Sequence, residues 1–190
     1  MARPFTFADT IEVIADAVPD HMAIITEERR LTFRELDDRA TRLAHALAAR
    51  GVGAGDHVGL YLHNGTEYVE GMLGCWKIRA VPVNVNYRYV EDELVYLFDD
   101  ADLVSVVHHR EFAPVIAAVT HRVPGVTSFL YVDDGSGADI GGLDTSAHPV
   151  AEYEAALAEQ STERDFAERS GDDQYILYTG GTTGMPKGVM

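Results

Sequence analysis

Residues 57–85 read HVGLYLHNGTEYVEGMLGCWKIRAVPVNV, and the fold turns on how this stretch divides. An apolar run over 57–62 ends in His-Asn-Gly, a turn-forming group. Residues 66–79 then carry Tyr68, Met72, Cys75 and Trp76 at helical spacing. A second apolar run fills 81–85. Strand, helix and strand therefore follow one another without a long linker. The same alternation continues downstream. Residues 91–99 begin with acidic side chains, which suit the positive end of a helix dipole. Residues 103–108 predict a strand, 111–121 a helix and 128–132 another strand. Such alternation predicts an α/β fold, a layered and largely parallel sheet flanked by helices.

Upstream, Ile11, Ile14, Ala15 and Val18 predict a helix over 8–18 that Pro19 ends. Residues 22–26 and 30–33 predict a hairpin. Thr32 and Glu35 form a capping box, in which the hydroxyl accepts from a first-turn amide and the carboxylate reaches back. Leu36, Ala40, Leu43, Ala44 and Leu47 then share a helix face, and Gly51 supplies a left-handed cap. The Gly51, Gly53 and Gly55 run lacks dinucleotide-loop spacing and reads as a turn. Residues 133–149 read as a surface loop, 150–157 as a short helix and 174–178 as a final strand.

With 46% hydrophobic and 24% charged residues, the 190-residue chain has the makeup of a folded protein rather than a disordered one. Its net charge of −16 argues against nucleic acid or an anionic membrane surface as a partner, so an anionic ligand must be held by local donors. Cys75, the one cysteine, excludes an intrachain disulfide; between Gly74 and Trp76 it reads as a small buried hydrophobe. The opening MARPFTFADT has no long apolar run and does not read as a secretory signal, and no run approaches the ~18 apolar residues of a membrane helix, so a cytoplasmic setting is expected.

The last strand runs into Thr179-Gly180-Gly181-Thr182-Thr183-Gly184-Met185-Pro186-Lys187-Gly188. Glycines let a phosphate approach the backbone, and consecutive amides in such a turn converge on an anion. The threonine hydroxyls add donors, one of them able to ligate a metal, and Lys187 adds a full charge. The spacing differs from the common nucleotide loop, which needs Gly-Lys followed by Ser or Thr.

Residues 178–188 resemble the signature of the adenylate-forming (AMP-binding) superfamily, which includes acyl-CoA synthetases, peptide-synthetase adenylation domains and luciferase. The usual form has Ser or Thr where this chain has Gly180; that loses a hydroxyl but keeps the amide. Residues 31–36 (LTFREL) and 74–84 (GCWKIRAVPVN) are similar to two further family segments. The resemblance implies ATP, Mg²⁺ and coenzyme A as cosubstrates and cofactor, with a carboxylic acid as substrate. The carboxylate becomes an acyl adenylate and then a thioester. It implies that Thr179, Gly180, Gly181, Thr182, Thr183, Gly184 and Lys187 bind the phosphates. Thr179 would meet Mg²⁺ through its hydroxyl, and Lys187 would clamp the leaving pyrophosphate. Residues 84–89 and Gly180 also look like the branch acting on fatty or steroid side-chain acids. The family's adenine, ribose, acyl and C-terminal lysine positions would lie beyond Met190. The chain thus reads as a partial N-terminal domain over 1–190 with no second domain, inactive alone and in need of the rest of the chain. The rival readings are a truncated, non-catalytic product that at most binds phosphate weakly, and a fragment of a peptide-synthetase or luciferase-like domain.

Other candidates read as structural. His108 and His109 point to opposite faces of a strand and chelate poorly together, so they are expected at a solvent-facing strand end, with no carboxylate to complete a zinc set. Asp99, Asp100 and Asp102 read as solvated turn residues, and Tyr87, Tyr89 and Tyr96 as helix and loop packing.

Overall fold

The computed structural model describes residues 5–143, 149–179 and 187–190. Helix α1 (Phe7–Ala17) opens on a capping box the sequence reading passed over: the Thr6 hydroxyl accepts from the Asp9 amide, and the Asp9 carboxylate accepts from the Thr6 amide at 2.8 Å. Strands β1 (Met22–Ile25) and β2 (Arg30–Thr32) make the expected antiparallel hairpin. Thr32 and Glu35 then cap α2 (Phe33–Ala48) as expected, and Gly51 follows it with φ +88°.

The decisive stretch folds as β3 (His57–Tyr61), α3 (Thr66–Lys77) and β4 (Val81–Asn84). After it come α4 (Glu91–Asp100), β5 (Leu103–His109), α5 (Ala113–Val119), flanked by two 3₁₀ turns, and β6 (Ser128–Val132). Residues 150–157, read as one helix, divide into β7 (Val150–Glu152) and α6 (Tyr153–Ala158). The carboxylate of Glu152 accepts from the amides of Glu154 and Ala155 and so caps a helix that begins later than apolar spacing suggests. Strand β8 (Ile176–Thr179) starts two residues later and ends one residue later than the expected final strand over 174–178, and β9 (Lys187–Val189) was not anticipated.

Among the described residues seven strands join in the order β7-β6-β5-β3-β4-β8-β9, parallel throughout except for β9. Helices cover both faces. On one, Leu94, Leu97 and Phe98 of α4 and Ile116 of α5 pack against Val83, Val106 and Phe129. On the other, Leu43 and Leu47 of α2, Cys75 of α3 and Leu157 of α6 pack against Val58, Leu60, Val107 and Leu130. Leu31, Leu36, Ala40, Leu73 and Trp76 form a third cluster that holds α1 and the hairpin onto α2 and α3.

Two features of this arrangement bear on function. First, the chain leaves β3 towards β4 on one side but leaves β5 towards β6 on the other. Strands β3 and β5 are neighbours, so their carboxyl ends flank a topological switch point, where open α/β sheets leave a crevice. Second, the buried charges among the described residues come paired. Lys77, 1% exposed, contacts Glu12 at 2.6 Å and Asp37 at 2.7 Å. Arg169 reaches Asp9 and Glu12, and Arg164 reaches Asp16 and Asp37. These pairs strap residues 161–175 across α1 and α2 and deliver the chain to β8.

Candidate phosphate-binding site

Strand β8 alternates cleanly. Ile176 and Tyr178 are buried, while Leu177 and Thr179 are exposed. It runs parallel to β4, with Val83 opposite Ile176 and Asn84 opposite Leu177. Strand β9 returns antiparallel, placing Lys187 directly opposite Thr179 and Gly188 opposite Tyr178. A Cβ at Gly188 would meet the Tyr178 ring and Ile176 at 3.2 Å, so glycine lets β9 lie close over β8. The two ends of the glycine- and threonine-rich motif thus face each other at the carboxyl end of a parallel strand, and both Thr179 and Lys187 are exposed. Gly180, Gly181, Thr182, Thr183 and Gly184 lie outside the described residues.

The segment 74–84, of low specificity as sequence, holds this strand in place. The Trp76 indole donates to the Gln174 carbonyl at 3.0 Å, and the Arg79 guanidinium pairs with Asp173 at 3.0 Å. The Tyr68 hydroxyl donates to Asn84 at 2.9 Å and lies 3.1 Å from the Tyr175 hydroxyl. On the other face the Tyr178 hydroxyl donates to Asp100 at 2.6 Å; burial, reinforced by that carboxylate, pushes its phenol well above the ordinary value. Helices α3 and α4 therefore fix β8 from both sides.

The remaining candidates fall out differently. Cys75 is buried, and burial raises its thiol far above the usual range, so it is inert as a nucleophile. Asp99, Asp100 and Asp102 are exposed at the end of α4, as expected of turn residues. Tyr89 is buried as a packing residue, but Tyr87 is 42% exposed and lies against His63, with the Arg88 guanidinium over its ring.

The histidine reading needs correction. His108 is fully buried rather than solvent-facing, because β5 is an interior strand between β3 and β6. Its Nδ1 donates to the His109 carbonyl at 2.8 Å, and its ring meets Phe129 edge-on. Burial pushes its pKa down to about 4. His109 has partners after all. It joins His63 and Glu111 in a cluster whose ligand-capable atoms all lie within 4.8 Å of one another. Burial, then the neighbouring His63, holds the His109 imidazole below its ordinary value. His63 and Glu111 escaped the sequence reading. A signal was present: the parallel strands β3 and β5 both run into histidine, and Tyr61 pairs with His108, so the residues just beyond must meet.

Around this cluster opens a cleft of about 770 Å³. It is built from the ends of β3, β5 and β6, strand β7, the β1–β2 turn and the first residues of α3. Its lining includes neither Thr179 nor Lys187.

The family model described as AMP-binding enzyme matches residues 11–190. The chain belongs to the AMP-binding enzyme family. Among its relatives, the 3-oxocholest-4-en-26-oate–CoA ligase of Rhodococcus rhodochrous is 50% identical over 183 residues, 96% of this chain and 32% of the relative. The medium/long-chain-fatty-acid–CoA/3-oxocholest-4-en-26-oate–CoA ligase of Mycobacterium marinum is 50% identical over 194 residues, 100% of this chain and 34% of the relative. Tyrocidine synthase 2 of Brevibacillus parabrevis is 31% identical over 97% of this chain and 4% of its own length. Among solved structures, the anthranilate CoA ligase AuaEII in complex with anthranoyl-AMP superposes with a TM-score of 0.86 at 25% identity, covering 98% of this chain and 35% of that one. This AMP-binding enzyme chain thus spans about a third of the ligases it matches. Among its described residues, no helix is long and apolar enough to cross a membrane.

Proposed function

We propose that this chain is the phosphate-handling portion of an ATP-dependent, AMP-forming acid–thiol ligase. The substrate is a fatty or other large apolar carboxylic acid, with steroid side-chain acids included. The observation that carries the reading is the Thr179–Lys187 register, which brings the two ends of the glycine- and threonine-rich motif together at the carboxyl end of a parallel strand. Identity of 50% to CoA ligases, against 31% to a peptide synthase, favours the coenzyme A branch over a peptide-synthetase domain. On this reading, residues 1–190 form the first part of the large N-terminal domain. The adenine, acyl and thiol sites are completed by sequence of the kind the longer relatives carry.

The substrate carboxylate attacks the α-phosphate of ATP, forming the acyl–phosphate bond as the bond to pyrophosphate breaks. The coenzyme A thiol then displaces AMP and leaves the thioester. The amides of Gly180, Gly181, Thr182, Thr183 and Gly184 hold the outgoing phosphates, and Lys187 opposes their charge. Catalysis of this kind is mostly positioning and electrostatics. The exposed Thr179 hydroxyl fits a Mg²⁺ ligand, and the ion when bound supplies further neutralisation of the polyphosphate.

The test separates the two half-reactions in the intact protein. A lost charge-assisted hydrogen bond costs about 1.5–3 kcal/mol, so Lys187→Ala slows adenylation roughly 10- to 100-fold. Lys187→Arg recovers part of it, because a planar fork does not replace a compact ammonium. Thiolation of a supplied acyl adenylate changes far less. Equal damage to both steps, or normal adenylation by the alanine variant, sinks the clamp. Failure to exchange pyrophosphate with any of a panel of fatty and steroid acids sinks the substrate class.

A further inference from the structure

We propose that His63, His109 and Glu111 form a binding site for a zinc-class divalent cation at the switch-point crevice. The inference is independent of the function proposed for the loop after β8. Three observations carry it. The first is the donor set: two imidazoles and a carboxylate with their ligand-capable atoms within 4.8 Å of one another. This set suits zinc and related ions and leaves a fourth, open position, whereas magnesium prefers oxygen donors.

The second is position. His63 follows β3, and His109 and Glu111 lie at the end of β5. These are the neighbouring strands whose connections diverge, so backbone geometry brings the three side chains to one mouth. The Glu111 amide donates to Asp134 at 2.9 Å, and the His63 amide reaches His109 Nδ1 at 3.0 Å, so the three residues already meet without an ion.

The third is the field. The surrounding cleft carries Glu27, Glu28, Asp133, Asp134 and Glu152. Arg29, the one guanidinium among its described lining residues, is already paired with Glu67 at 3.1 Å and Glu154 at 3.2 Å. The cleft therefore attracts cations and repels phosphates.

In the metal-free arrangement the Nε2 proton of His63 forms a hydrogen bond to Glu111 Oε1, 2.7 Å from the nitrogen. The cation takes that proton's place. Binding therefore competes with hydrogen ions for the same donor atoms. Whichever ring nitrogen of His109 takes the ion, Nδ1 can no longer accept from the His63 amide, so that bond opens on binding.

The experiment is calorimetric titration of the intact, tag-free, chelator-treated protein with Zn²⁺ alone and with Co²⁺ alone, in two buffers of different ionisation enthalpy. Saturating Mg²⁺ is present as a competitor. The expected result is one tight equivalent that Mg²⁺ does not displace and that weakens as pH falls, because protons compete for the same donors. His109→Ala and Glu111→Gln each weaken it by at least about tenfold, while His121→Ala, a change remote from the cleft, leaves it unchanged. Circular dichroism melting without metal checks that each variant is folded. If His109→Ala fails that check, His63→Gln, at a side chain 43% exposed, takes its place. Absence of the tight equivalent overturns the proposal, as does equal binding by the folded variants or displacement by Mg²⁺.

Discussion

Acidification should weaken this fold through His108, and the size of the effect follows from its surroundings. The imidazole is fully buried, with Nδ1 bonded to a carbonyl and Nε2 lacking a hydrogen-bond partner among the described residues. Charging it in place is costly, so burial holds the folded pKa at about 4, against roughly 6.5 in the unfolded chain. A depressed folded pKa means that the unfolded state binds more protons between these values. Stability is therefore complete above about pH 6.5 and is lost as pH falls towards 4. At about 1.36 kcal/mol per unit, going from about pH 7.5 to about pH 5 removes roughly 2 kcal/mol. Other groups titrate in the same window, and relief of the net negative charge acts the other way, so a comparison variant is needed. His108→Asn keeps a donor for the His109 carbonyl and abolishes the titration. It costs about 1 kcal/mol in lost packing at every pH. Urea unfolding of both proteins at several pH values should show the wild type losing about 2 kcal/mol more than the variant across the window. Parallel losses, agreeing within about 0.5 kcal/mol, would refute the assignment of this acid sensitivity to His108.

Two further perturbations probe the frame around β8. Lys77→Met leaves Glu12 and Asp37 short of a buried cation; it should cost about 3–5 kcal/mol in urea unfolding, with part restored by adding Asp37→Asn, and a loss under about 1 kcal/mol would mean that the network relaxes freely. Gly71→Ala places a methyl 2.7 Å from Leu60 Cδ2, between α3 and β3, so it should cost about 1–3 kcal/mol by overpacking, be relieved by Leu60→Val, and leave a neutral result as evidence that the helix shifts easily.

The strands and helices were legible where side-chain period and caps agree, as at Thr32 and Glu35 ahead of α2, or in the run from β3 to β4. Residues 150–157 misled because Tyr153, Ala156 and Leu157 do form a helical stripe. The short β7 ahead of them is defined only by pairing with β6, a partner local pattern does not contain. His108 misled for a related reason. Whether a strand lies at an edge or inside the sheet is a property of strand order, and β5 is flanked on both sides only once β3 and β6 are placed. The glycine- and threonine-rich motif was visible in the sequence because its residues are consecutive. The His63, His109 and Glu111 cluster was not, since its members meet through parallel register rather than through spacing. The ion pairs of Lys77, Arg164 and Arg169 were equally hidden, because their carboxylate partners on α1 and α2 lie 40 to 160 residues away in sequence.

Strand β8 docks on β4 although about 90 residues separate Asn84 from Ile176. On a ribosome adding roughly 5–20 residues per second, the edge of β4 waits on the order of 5 to 20 seconds for its neighbour. During that interval the nascent sheet can grow only on its other side, through β5, β6 and β7, while the backbone of Val81 to Asn84 stands open to unwanted strand pairing. Pro82, which has no amide to donate, sits within that waiting edge and makes it a poorer template for a stranger. The strand that leads into the glycine- and threonine-rich motif is thus a late arrival in the sheet, and chaperone dependence during synthesis should concentrate in the window before it emerges.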